Sequence, residues 1–163
     1  MKKFFFILCS VWFLGACSLT KPVASSEKIS DNNPELVVNK EVKQGSTADF
    51  SFTNNTGEKI IIHGPAFKNI EKFENNVWRK VKIIYCPCGA DCIPPPKTKM
   101  LLPGQKHDYS WNLMESWCDK RKKNKNNATV ETISLPGLYR IAIHYSLDSI
   151  NQIKIEREFS IIP

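Results

Sequence analysis

The chain has 163 residues, room for one domain and a leader, and a domain of ~100–130 residues buries enough surface that cross-links need not be its only support. Its formal charge is +7, from 23 Lys and Arg against 16 Asp and Glu, with Lys2 and Lys3 supplying two of the positive charges. Such a surplus suits anionic surfaces, lipid headgroups or acidic glycans, but it is too scattered to form the basic stripe of a nucleic-acid reader, so nucleic acid is not an expected partner.

Met1-Lys2-Lys3 is a short positive start, and Phe4 to Leu14 is an apolar run of eleven residues. A spanning helix needs ~20 apolar residues, so the run has the length of a signal-peptide core instead. It ends in Leu14-Gly15-Ala16-Cys17, which resembles the lipobox of bacterial lipoproteins. The resemblance implies cleavage before Cys17, a diacylglycerol on its sulfur, and loss of Cys9 with the signal peptide, residues 1–16. Each buried methylene contributes ~0.8 kcal/mol, so two or three acyl chains make a durable membrane anchor. Ser18 stands where that family's inner-membrane retention signal would be Asp, which implies the outer membrane if the envelope has two. Residues 17–34, rich in Ser, Lys, Asn, Asp and Pro, read as a flexible tether.

From Glu35 onward the hydrophobic signal has period two. Ala48, Phe50 and Phe52 alternate with polar neighbours, Asn54-Asn55-Thr56-Gly57 turns the chain, and Lys59 to His63 follows as a strand. Phe67 to Phe73 is a weaker strand. Val81, Ile83 and Tyr85 share a face opposite Lys80 and Lys82, and Trp78 falls on the lysine parity. His107 to Leu113 turns Tyr109, Trp111 and Leu113 inward. Tyr139, Ile141, Ile143 and Tyr145 repeat the pattern, as do Ile153, Ile155, Phe159 and Ile161, with Arg157 out of place on that apolar face. About eight short strands with no sustained 3.6-residue stripe predict an all-β antiparallel sandwich over residues 35–163.

Leu135-Pro136-Gly137-Leu138-Tyr139 resembles the start of strand F in immunoglobulin-like sandwiches, and with Asn54-Asn55, Glu71-Lys72, Trp78 and Trp111 the layout is similar to small immunoglobulin-like domains of bacterial envelope proteins. Bacterial proteinase-inhibitor sandwiches look similar as well. The resemblance implies that Tyr139 bonds back across a corner. It departs from antibody domains in having Ile141 where their second bridging cysteine stands.

Four thiols follow the leader: Cys86, Cys88, Cys92 and Cys118. An exported domain meets oxidants, so two disulfides are expected. A Cys86–Cys88 bond would strain its small ring, which leaves Cys118 joined to Cys86 or Cys88 and Cys92 to the other. Since Cys118 follows the Tyr109/Trp111 strand, the bridge is expected to pin the loop to one end of the sandwich. The alternative is a soft-metal site for copper or zinc on the same four cysteines, near Met100, Met114 and His107, although C-x-C-x3-C is not the paired spacing of zinc folds.

Lys120, Arg121, Lys122, Lys123 and Lys125 form the one dense charge run, a solvated loop or a basic contact finger. His63, His107 and His144 are separated singles with no nucleophile motif beside them, and no phosphate-cradling glycine loop or cofactor motif is present. Trp117, if exposed beside Cys118, is a contact for sugar or peptide. The sequence therefore predicts a monomeric, membrane-anchored envelope module without catalysis or cofactor, binding a protein or an anionic envelope ligand. A proteinase-inhibitor role would need an exposed extended loop, for which Ile93 to Thr98 is the place.

Overall fold

A segment that alternates apolar and polar side chains has one face to bury, and two such sheets bury their faces against each other. The computed structural model describes residues 32–66, 68–119, 128–147 and 151–163, which hold twelve β-strands and no α-helix. One sheet contains β1 (Glu35–Val38), β3 (Ala48–Thr53) and β8 (Lys106–Trp111), in the order β1-β3-β8. The other runs β2 (Glu41–Lys43), β12 (Ile153–Ile162), β11 (Gly137–Ser146), β4 (Ile60–His63), β7 (Thr98–Leu101). All of these pairings are antiparallel except β2 with β12.

Strand β5 (Asn69–Glu74) shares one edge of β11 with β4: Ser146 to His144 face β4, and Ala142 to Tyr139 face β5. Between them the chain bulges at Gly64, whose φ of +61° favours glycine. Strand β6 (Val77–Lys80) continues the branch beyond β5. A separate hairpin, β9 (Met114–Cys118) with β10 (Thr129–Ile133), sits between β8 and β11 in the chain.

The inward set is the one that period two selects. Phe50, Phe52, Trp111, Tyr139, Ile141, Ile143, Phe159 and Ile161 are all buried. Rings meet at its centre: Phe50 to Phe159 at 5.4 Å, Tyr139 to Phe159 at 5.7 Å and Trp111 to Tyr139 at 5.8 Å between centroids. Each such side chain contributes on the order of 1.5–3 kcal/mol by leaving water. Ile141 lies inside, paired across the sheet with Ile70 and Arg157.

Several expectations need correction. The strands outnumber the expected eight because β2, β7, β9 and β10 are short or carry no clean alternation. The strand of Trp78 ends at Lys80: Val81 is buried, but Tyr85 is 54% exposed and no strand continues there. Leu113 is buried as expected, yet it lies past the end of β8 with φ at +57°, where the chain reverses into β9. Trp78, on the lysine parity, faces the outer side of the sheet, 5.1 Å from the Phe73 ring. Arg157 sits where its face is exposed, and its guanidinium donates to the Glu156 carbonyl.

Candidate functional site

Cys17 and its tether as far as residue 31, and the run from Lys120 to Lys125, lie outside the described residues; the tether's last residue, Pro34, is buried just before β1 rather than free. The site that can be built starts where β6 leaves the sheet. Val81 makes the last rung, its N–H donating to Ile70 O at 2.9 Å. The chain then follows β9 instead. Ser116 N–H donates to Lys82 O at 2.7 Å, and Ile84 N–H donates to Ser116 Oγ at 3.1 Å. One buried serine thus receives the segment that has left the sheet.

Past Tyr85 the cysteines take over. Cys86 is bonded to Cys92, with Cα atoms 6.3 Å apart, and Cys88 is bonded to Cys118, at 5.6 Å. Of the two connectivities left open, the molecule uses the interleaved one, in which Cys88 leaves from within the Cys86–Cys92 ring to reach Cys118. A turn closes inside that ring, with Ala90 N–H donating to Pro87 O at 3.1 Å. Cys88 N–H also donates to Thr129 Oγ1 at 2.8 Å. Cys118 ends β9 rather than continuing β8, so the bridge ties the loop to the β9–β10 hairpin. That placement was invisible because the reversal at Leu113 has no glycine or proline to announce it.

Beyond Cys92 the chain runs through Ile93 and three prolines to Lys97, whose carbonyl accepts from Gly64 N–H at 2.7 Å. Thr98 then pairs with His63 and β7 begins. Ile93 is 87% exposed, more than any other large apolar side chain among the described residues. Beside the bridge lies an open groove of about 800 Å³ whose lining includes Lys82, Ile83, Ser116 and Trp117. Trp117 is half-buried, and Lys82 Nζ sits 5.1 Å from its ring centroid. Sequence reasoning missed this groove, since it arises only when the segment after Val81 is laid against β9.

No family model matches the chain, and no curated protein matches it.

The four cysteines of the metal alternative carry no thiolate here, each sulfur being in a disulfide. Both ring nitrogens of His107 are engaged, Nδ1 with Lys99 Nζ at 2.9 Å and Nε2 with Pro65 O at 3.1 Å. His63 Nε2 meets Ser146 Oγ at 2.9 Å, and His144 is half-buried on the outer face near Lys154. Among the described residues no group of three or more His, Cys, Asp or Glu side chains could hold a metal ion.

Two further clusters are structural in character. The Tyr139 hydroxyl donates to Leu135 O at 2.6 Å across the Pro136-Gly137 corner, and burial pushes its pKa up. On the outer face of β5, β11 and β12, Arg140 pairs with Glu71 at 2.6 Å and Glu156 at 3.4 Å, with its guanidinium 4.4 Å from the Trp78 ring. Nearby, burial works to lower the pKa of Lys72, but Glu74, paired with it at 2.7 Å, together with Tyr139 and Glu115 raises it on balance; the same bond lowers that of Glu74. Ion pairs this open to solvent add little to stability.

Proposed function

We propose that this protein is a lipid-anchored, non-catalytic binding module of a bacterial cell envelope, held in the outer membrane where there are two. The observation that carries the reading is a mismatch between fastening and burial: two disulfides fix a loop whose residues from Pro87 to Lys97 are mostly exposed and add nothing to the core. Rigid sandwiches put recognition in their loops, and among the described residues this loop is the one that carries the disulfides. The immunoglobulin-like reading of the sandwich is supported by β1-β3-β8 opposite β4-β11-β12, by the parallel β2–β12 pair, and by the Tyr139–Leu135 bond.

The exposure of Ile93 also suits the proteinase-inhibitor alternative, but the three prolines that follow it, having no N–H to donate, weaken it. Copper or zinc handling is the weaker reading, because it requires the loop in a reduced form.

The mass of the membrane-extracted, unreduced chain tests the proposal. The expected product begins at Cys17, carries acyl chains, and takes up no thiol reagent until reduced; Cys17→Ser should release it from the membrane. A full-length soluble chain with four alkylatable thiols would overturn it.

A further inference from the structure

Proline fixes its own φ near −65° and forces the preceding residue into an extended conformation, so in Ile93-Pro94-Pro95-Pro96 the first three residues are extended by local sterics alone. With trans peptide bonds the result is a short polyproline-II helix. Its ends are clamped, by the Cys86–Cys92 disulfide before Ile93 and by the Lys97–Gly64 hydrogen bond after Pro96. A polyproline-II helix has three residues per turn, so Ile93 and Pro96 share an edge. Both are exposed, while Pro95 alone is half-buried against the protein.

Three successive prolines remove three successive N–H donors, and a segment without donors cannot pair fully as an added strand. A protease cleft or an open sheet edge, which reads backbone in that way, is therefore a poor fit. What the segment does offer is apolar ring faces, the Ile93 side chain and unpaired carbonyls in one fixed geometry. Grooves lined with aromatic residues recognise that combination: rings stack on the prolines while indole or phenol groups donate to the carbonyls. Exposed Lys97 follows directly and adds a cation at one end.

We infer that Ile93–Pro96 is a preformed polyproline-II ligand for an aromatic-lined groove on a partner protein, with Lys97 pairing a carboxylate at the groove's rim. Because the loop is ordered before it binds, little conformational freedom is lost on association. The inference rests on the binding-module reading and supplies the chemistry of its partner.

The test places a photo-crosslinking amino acid at position 93 of the full chain, and separately at the exposed control positions 133 and 37, in extracts of the native host. Two competitors are added: a peptide of residues 85–97 closed by its Cys86–Cys92 disulfide, with Cys88→Ser, and the same peptide carrying P94A, P95A and P96A. The expected result is an adduct at position 93 alone, reduced at least tenfold by the native peptide and less than twofold by the alanine peptide. Unlabelled full chain should compete as the native peptide does, and full chain carrying Ile93→Ser should compete at least tenfold less well; that exposed substitution tests the segment without risk to the fold.

Equal competition by both peptides would overturn the inference in favour of a cleft that reads an extended strand. A competed adduct only at a control position would overturn it too, while leaving the binding module intact. No competed adduct at any position would remove both.

Discussion

The aromatic centre of the sandwich and the cysteine loop on its flank are ordered by opposite means. Phe50, Trp111, Tyr139 and Phe159 are each no more than 2% exposed, and nothing covalent joins the strands that carry them. The loop has two disulfides within seven residues of sequence on one side, yet its most apolar residue, Ile93, stands 87% in solvent. Where burial supplies the free energy, cross-links are unnecessary; where a segment is to be both rigid and exposed, burial is unavailable and covalent closure replaces it. The flank is therefore held by covalent closure and the centre by burial.

Substitution at the centre is expected to have the largest effect. Trp111→Ala removes a side chain that meets Tyr139 and Phe159 and donates from Nε1 to Met114 O at 2.9 Å. A loss of ~3–5 kcal/mol is expected in denaturant unfolding. A loss under ~1 kcal/mol would mean that the centre repacks and that the contrast with the flank is overstated.

The disulfides come next. Replacing Cys88 and Cys118 together by Ser opens a closure with a sequence separation of 30, worth ~3–4 kcal/mol on the chain-entropy account. Opening Cys86–Cys92, with a separation of 6, should cost only ~2 kcal/mol. Equal effects from the two would show that the longer bridge does not tie the loop to the hairpin in the way the fold places it.

Much of the centre was legible because period-two alternation reports which face a strand buries, and Phe50, Trp111, Tyr139 and Phe159 all follow it. The corner at Tyr139 was legible from Pro136-Gly137. The flank was not, since its order comes from pairings that leave no periodic trace. Ser116 receives a departing segment, Leu113 adopts a positive φ without being glycine, and β7 has three exposed residues of four, so no alternation marks it. Cysteine spacing excluded one connectivity but could not choose between the other two, because that choice depends on where β9 turns.

A smaller effect is expected at the corner. Tyr139→Phe keeps the ring and removes only the bond to Leu135 O, for a loss of ~1 kcal/mol. The same hydroxyl sharpens the comparison through pH. Burial raises the pKa of Tyr139, Tyr109 and Tyr145 above the usual tyrosine value of about 10. The unfolded chain then releases these protons first, so their contribution is fully present below about pH 10 and is lost as pH rises through the folded values. Thermal midpoints should fall above that pH as tyrosinate absorbance rises, and Tyr109→Phe should flatten the fall. A chain equally stable well above pH 10 would place these hydroxyls in water.

The smallest effect separates the two regions most cleanly, because it uses one residue type in both. Ile62 is fully buried, and Ile62→Ala is expected to cost ~2–5 kcal/mol. Ile93→Ala removes the same atoms from an 87% exposed position, so a change within ~0.5 kcal/mol is expected. With the fold unchanged, any loss of partner binding in Ile93→Ala belongs to recognition alone. A loss above ~1 kcal/mol would mean that Ile93 packs against something in the folded chain. The flank would then be a second, smaller core rather than a surface held out to be read.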